Sequence, residues 1–324
     1  MTIAITGATS MLGIATIKEC INQNINVIAF CRPLSKNLNR IPNNDFVRII
    51  ECDLDSMQEF NVEQLKADVF IHFGWTFTDR EGRNNPSKQM KNVQYTLDAV
   101  SLAQRLGCRK FIGAGSQAEY GTPNTILKED TPVNPVVPYG VAKYSAGRFS
   151  KIECEKIGLE YNWVRILSVY GTNDLPGTLI SQLIYNAKNN IPMGLSGCEQ
   201  TWDYLFEDDA GRAFMAIAEK GVNGKVYNLG SGVGRKLKDF VQDVIDVVNP
   251  GYVPEYGQYS YSVTQPFMLQ ADVSNLVDDV NWSAKIKFTD GIAKILDSQE
   301  CWNLRGGVLK YSNFITTLHI RRVA

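Results

Sequence analysis

The chain has 324 residues, 44% of them apolar and 21% charged, the composition of a globular protein long enough for one large folding unit and a smaller lobe. Lys and Arg total 33 against 34 Asp and Glu, so a formal net charge of -1 sets up no global field to draw in nucleic acid or an anionic membrane. Every apolar run falls far short of the ~20 residues that a bilayer span requires, and no basic-then-apolar leader opens the chain, so a cytoplasmic protein is expected.

In chain order, short β-rich runs alternate with helical patterns, the signature of βαβ units and a doubly wound parallel sheet covered on both faces. Strands are expected at residues 3–5, 27–30, 46–50, 69–73, 110–114 and 162–167, with helices over 14–20, over 87–106 before Gly107, and after Pro138. Beyond Gly171 the pattern turns to mixed helices, short strands and loops, where a substrate lobe is expected. One later piece, Tyr204-Leu205-Phe206 with a helix over 208–220 and a strand over 226–229, is expected to return to the main sheet. The lobes are therefore interleaved: 1–171 plus about 204–230 for the cofactor domain, and about 172–203 plus 231–324 for the substrate lobe. The seven cysteines form no Cys-x-x-Cys pair and no zinc-type spacing with His72 and His319, so reduced, mostly buried thiols and no metal site are expected.

Directly after the first strand stands Thr6-Gly7-Ala8-Thr9-Ser10-Met11-Leu12-Gly13, and a helix begins at once. Glycines at such a junction let the chain turn tightly and let a pyrophosphate approach the free N–H groups and positive dipole end of the helix. Gly7, Thr9, Ser10, Met11, Leu12 and Gly13 are thus the expected phosphate cradle, provided that Ser10 tolerates its backbone geometry. At the end of the second strand an acidic residue would hydrogen-bond a ribose 2′-hydroxyl and repel a 2′-phosphate, but here the chain reads Cys31-Arg32-Pro33-Leu34-Ser35-Lys36. Arg32 can fork onto a phosphate, which favours NADP over NAD, with Ser35 and Lys36 as further donors. Asp53 and Leu54 are expected near the adenine, and Phe73 and Gly74 where the cofactor passes the fourth strand.

Tyr139-Gly140-Val141-Ala142-Lys143 opens a helix, and Ser116 stands just past the preceding strand. The four-residue offset puts Tyr139 and Lys143 on one helical face, so the ammonium is expected to lower the phenol pKa and let it pass a proton near neutral pH. Ser116 is expected to hydrogen-bond the same substrate oxygen and stabilise charge building there. A lone Tyr-x-x-x-Lys pair is more often a helix surface; its place after a strand-glycine-helix opening gives it weight.

These segments, with Gly115-Ser116-Gln117-Ala118-Glu119-Tyr120-Gly121, Arg165 to Gly171, Gln200 to Tyr204, Tyr227 to Gly232 and Ala271 to Ser274, resemble the NAD-dependent epimerase/dehydratase family, the extended short-chain dehydrogenases. The likeness spans nearly the whole chain except the tail after about Asn303. It implies a Rossmann domain with a smaller C-terminal substrate-binding lobe, nicotinamide hydride transfer at the carbon of a nucleotide-linked sugar, and Ser116, Tyr139 and Lys143 as the catalytic trio. It also implies that Asn92, in the long helix, supports the cofactor and active-site geometry, and that the long helices over 87–106 and 139–157 pair two chains into a homodimer.

Similar dehydratases carry an Asp-Glu pair directly after the catalytic hydroxyl residue; here Gln117-Ala118 stands there, and Glu119 is displaced by one position. Two catalytic readings remain: an NADPH-dependent reductase of a nucleotide-linked 4-keto sugar with Tyr139 as general acid, favoured by Arg32, and a nucleotide-sugar 4-epimerase with tightly bound NAD. A reading of another class, a non-catalytic NADP(H)-binding sensor, is weakened because the whole trio is present. Thr76, Ser168 and Trp202 are the candidate substrate contacts, with Thr78 and Arg80 nearby. Where the family often places a diphosphate-binding arginine this chain has Trp202, which can stack on a base or sugar or simply fill the core of the lobe.

Overall fold

The computed structural model describes residues 1–262 and 264–304. The end of the expected substrate lobe, including the tail from Leu309, lies outside them. In chain order the elements are β1 (Thr2–Thr6), α1 (Met11–Asn22), β2 (Asn26–Cys31), β3 (Val47–Glu51), β4 (Val69–His72), α2 (Arg80–Arg83), α3 (Pro86–Arg105), β5 (Lys110–Ser116), α4 (Pro138–Ile157) and β6 (Glu160–Ile166). There follow β7 (Ser168–Tyr170), α5 (Leu179–Asn189), β8 (Thr201–Trp202), β9 (Tyr204–Phe206), α6 (Glu207–Lys220), β10 (Val226–Leu229), β11 (Arg235–Lys236), α7 (Leu237–Val248), α8 (Ser274–Val280) and α9 (Phe288–Leu304).

Seven strands form one parallel sheet in the order β3-β2-β1-β4-β5-β6-β10. The order reverses between β1 and β4, and in such sheets the crevice outside the carboxyl ends of those two strands is where ligands bind. The central strands are apolar on both faces, as a sheet covered on both sides demands: Ile3, Ala4, Ile5, Val69, Phe70, Ile71 and Phe111 are fully buried. Phe70, Phe111 and Tyr161 stack across β4, β5 and β6 with ring centroids 5.9 and 6.4 Å apart. The Trp163 ring occupies space that a Cβ on Gly113, Gly115 or Gly147 would invade at 2.3, 2.3 and 2.8 Å.

One face is covered by α1 and α6, the other by α3 and α4. Gly211 lets α6 lie against α1, since a Cβ there would stand 2.6 Å from Ala15 O. A third apolar cluster gathers Tyr170, Leu183, Phe206, Val241 and Ile292 from β7, α5, β9, α7 and α9. The expected return of the later segment to the main sheet holds for α6, which lies on one face of it, and for β10, its edge strand. β9 instead pairs in parallel with β7 outside the main sheet, because its aromatic side chains Tyr204 and Phe206 pack on Tyr170 and Phe288 in the third cluster. Of the cysteines, Cys20, Cys31, Cys52, Cys108, Cys154 and Cys198 are free, and burial pushes every one of these thiols up, Cys20 and Cys154 to about 12. The side chain of Cys301 is outside the description. No helix among the described residues is long and apolar enough to cross a membrane.

Candidate active site

The turn from β1 into α1 depends on glycine at two points. Gly7 has φ +66°, the left-handed region, and a Cβ there would lie 2.8 Å from Gly74 N; one on Gly13 would lie 2.5 Å from Gly7 O. Ser10 needs no such freedom: at φ −75° and ψ 163° it is ordinary extended backbone, and it is the N-cap of α1. Its hydroxyl accepts from the Gly13 N–H at 3.1 Å, which stabilises the helix end by about 1 kcal/mol. Thr9, Met11 and Leu12 flank the turn half-buried, and Leu12 leans on the core beneath α1.

The β4 end closes over this turn. Phe73 N–H donates to Thr6 O at 3.1 Å, and Gly74 N–H to the Thr6 hydroxyl at 3.3 Å. Gly74 also stands against Leu54, whose Cδ2 would be 2.6 Å from a Cβ at that position. Asp53 caps the short turn Leu54–Ser56 by accepting from Leu54 N–H at 2.7 Å. Gly7, Gly13, Leu54, Phe73 and Gly74 therefore converge on one cleft edge, with small residues where a bulky backbone must pass. Arg32 and Lys36 stand exposed at the end of β2, with no carboxylate partner among the described residues, while Ser35 is buried. A nicotinamide dinucleotide fits this donor set: a helix N-terminus for its pyrophosphate, a glycine-lined passage, and a free cation at the ribose end.

The expected chemical residues lie on β5 and α4, beside the strap segment that follows β4. Ser116 ends β5, and its hydroxyl accepts from Ala118 N–H at 3.2 Å. Pro138 at the first position of α4 sets Tyr139 and Lys143 one turn apart on its inner face. The buried Lys143 Nζ donates to Ala114 O at 2.6 Å and sits 3.6 Å from the centre of the Trp75 ring. Trp75 meets Tyr139 edge-on, with ring centroids 6.0 Å apart. As Trp75 follows Gly74, which abuts Gly7, Tyr139 and Lys143 stand against the segment that borders the glycine turn.

The expected electrostatics of the pair are corrected by the surroundings. Burial raises the Tyr139 phenol above its usual range, and Arg83 and the hydrogen-bonding Ser116 side chain pull against that rise. The Lys143 ammonium is turned to Ala114 and Trp75, and burial, opposed by Glu119 and aided by Arg83, brings it down to about 7. Arg83, which sequence reasoning missed, lies with its guanidinium carbon 4.2 Å from the centre of the Tyr139 ring. No local pattern points to it, because α2 reaches α4 only through the tertiary fold.

Glu119 faces away from the chemistry. Its Oε1 accepts from Ser116 N–H at 2.8 Å and Trp163 Nε1 at 2.9 Å, and its Oε2 from Arg165 Nε at 2.9 Å, all buried. His72, at the end of β4, has Nδ1 2.7 Å from the Thr6 hydroxyl and, among the described residues, no partner on Nε2; burial, then Lys143, lowers it to about 3, so it is neutral. Asn92 spends its amide on Thr76: it accepts from Thr76 N–H at 2.8 Å and the hydroxyl at 3.0 Å, and donates to Thr76 O at 3.0 Å. Asn92 and Thr76 thus anchor the strap. Ser168 opens β7, and Trp202 is half-buried between the third apolar cluster and a small one around Tyr120 and Leu269. Thr78 and Arg80 are exposed.

Comparisons with known proteins place the chain by family and by fold. A putative UDP-glucose 4-epimerase of Methanocaldococcus jannaschii is 25% identical over 306 residues, covering 91% of this chain and 97% of that protein. A dTDP-4-dehydro-6-deoxyglucose reductase of Escherichia coli is 23% identical over 312 residues, covering 92% of this chain and 98% of that one. Among solved structures, the UDP-glucose 4-epimerase of Thermotoga maritima with UDP-glucose superposes with a TM-score of 0.82 at 19% identity, over 94% of this chain and all of that one, which establishes the shared fold. The model of the NAD dependent epimerase/dehydratase family matches residues 3–230, and with the sheet order and the glycine turn this identifies the chain as a member of that family of NAD(P)-dependent epimerases, dehydratases and reductases.

Proposed function

We propose that this protein is an NADPH-dependent reductase of a nucleotide-linked 4-keto sugar, with Tyr139 as the general acid. The observation that supports the reading is that Tyr139 and Lys143 both meet Trp75, the residue after the Gly74 that abuts the glycine turn, while the Ser116 side chain hydrogen-bonds Tyr139. Gly7, Gly13 and the N-terminus of α1 hold the pyrophosphate, Leu54, Asp53 and Phe73 border the adenine side, and Arg32, exposed and unpaired, takes the 2′-phosphate with a charge-assisted fork. When bound, the nicotinamide supplies the hydride. Ser116 orients the substrate carbonyl oxygen, and Tyr139 gives that oxygen its proton, so that C=O becomes CH–OH and the phenolate regains a proton from solvent. Lys143 holds the wall formed by Ala114 and Trp75.

Glu119, with both oxygens committed to three buried donors, supports setting aside the dehydratase reaction, which needs a free carboxyl beside Ser116. A 4-epimerase with retained NAD is the second reading, supported by the name of the M. jannaschii relative. Purified protein mixed with NADPH and a panel of nucleotide-linked 4-ketohexoses decides between them: the reductase consumes NADPH in step with product. Sugar interconversion without net NADPH consumption, by protein that purifies with NAD, overturns the first reading for the second.

We infer further that residues 1–171 with about 204–230 form the dinucleotide domain, and about 172–203 with the chain from 231 the substrate lobe; β9 packs on the lobe side. Ser168 and Trp202 then border the sugar nucleotide. A second copy of the chain is proposed to cover the exposed apolar strip of Met90 on α3 and Val141, Phe149 and Ile152 on α4, and light scattering that gives a monomer mass rejects this.

A further inference from the structure

The strap between β4 and α3 is fixed at several points. Gln89, buried on α3, donates from Nε2 to Phe77 O and Gly82 O, both at 3.0 Å, and its Oε1 accepts from Trp75 Nε1 at 3.0 Å. Asp79 caps α2 by accepting from Gly82 N–H at 2.9 Å. Gly82 lies so close to Phe77 that a Cβ there would stand 2.8 Å from it. Arg83 is the next residue, so its backbone has a defined place, and its exposed guanidinium rests on the ring of Tyr139 with no carboxylate partner among the described residues. One face of that exposed guanidinium is thus given to a half-buried phenol.

We propose that Arg83 is a positioning residue for the proton donor: held on α2 and stacked over Tyr139, its unpaired guanidinium stabilises the phenolate that remains when the phenol has given up its proton. The inference rests on the reading of Tyr139 as the acid. The groups that face the phenol are few. Arg83 comes from α2, the Ser116 hydroxyl from β5, and Glu119, already paired with Arg165, from the turn after β5. Lys143, from α4, has its Nζ 5.9 Å from the phenol ring centre but turned to Ala114 and Trp75, and His72 on β4 is neutral. Arg83 is therefore the one cation among these that meets the ring directly without being claimed by a carbonyl or a carboxylate.

The test titrates Tyr139 without asking for turnover. In protein carrying 3-fluorotyrosine, whose phenol ionises at lower pH, fluorine NMR reports each tyrosine, and the Tyr139 signal is the one missing from Tyr139→Phe. The midpoint is expected to rise by about one unit in Arg83→Gln, as for loss of an opposite charge at this range, and by less in Arg83→Lys, which keeps the charge without the planar fork. Lys91→Gln, which removes an exposed charge on α3 away from the phenol, sets the background. A midpoint in Arg83→Gln equal to that of Lys91→Gln overturns the proposal. With an active substrate, the alkaline limb of kcat moves by the same interval while KM for NADPH stays put. A shifted titration in a protein that reduces no 4-keto sugar upholds Arg83 and rejects the reductase reading instead.

Discussion

The turn at Gly7, Gly13 and Gly74 is made almost wholly of backbone, whereas the other end of the same cleft is made of side chains from four separate elements: Ser116, Tyr139, Lys143, and Trp75 with Arg83. The first is defined by atoms that cannot be present, since a Cβ at any of the three glycines collides within 2.8 Å. The second is defined by atoms that must be present: the Lys143 ammonium and the Arg83 guanidinium each lie over an aromatic ring of the cluster. A backbone cradle binds what all members of a family bind, while a side-chain cluster is free to change its electrostatics from one sequence to another. In this chain the Tyr139 ring carries the Arg83 guanidinium over its centre at 4.2 Å, with the Lys143 ammonium at 5.9 Å.

The contrast can be broken most forcefully at Tyr139. Tyr139→Phe is expected to lower kcat for NADPH oxidation by about a hundred- to ten-thousand-fold while NADPH affinity holds, and equal turnover would remove the phenol from the chemistry. Next in size is a purely structural loss. Glu119→Gln leaves Arg165 buried beside an uncharged amide, and denaturant unfolding should show about 3–5 kcal/mol less stability. A drop in kcat at unchanged stability would instead make Glu119 part of the reaction.

At the backbone end the expected effects are smaller and concern binding. Arg32→Asp should reduce the preference for NADPH over NADH by about ten- to a hundred-fold, the worth of one charge-assisted hydrogen bond, read from the two dissociation constants. An unchanged ratio would put the 2′-phosphate elsewhere. Ser10→Ala removes the cap on α1 and should cost about 1 kcal/mol in unfolding, with Ser10→Gly costing less. The smallest effect is one of pH. Burial raises the Asp174 carboxyl to about 6, so the fold favours its neutral form; the stability it contributes is full below the ordinary carboxylate range and is lost as pH climbs through about 6. Asp174→Asn should flatten the thermal stability profile over that window, and an unaltered slope would assign the window to another group.

Much of the frame was legible because it is local. Ile3 to Gly13 reads as strand, turn and helix from apolar alternation and two glycines, and Tyr139 and Lys143 fall on one face because four residues make about one turn of helix. The Gln117-Ala118 departure set Glu119 apart before its partners Trp163 and Arg165 were known. Other features were out of reach of any window along the chain. Tyr204–Phe206 has the pattern of a buried strand, but its partner is chosen by the aromatic cluster around Tyr170 and Phe288. Ser10 looked like a departure that glycine should fill, and only its extended dihedrals remove the objection.

By itself, then, the amino-acid sequence determined the doubly wound sheet, the glycine turn and the pairing of a phenol with a lysine on one helix, since each follows from periodicity or from the steric needs of a few consecutive residues. The tertiary structure alone decided which charged groups surround the phenol, because an electrostatic field falls with distance in space and not along the chain. It brought Arg83 onto Tyr139, turned Lys143 toward Ala114 and Trp75, and closed Glu119 among its donors.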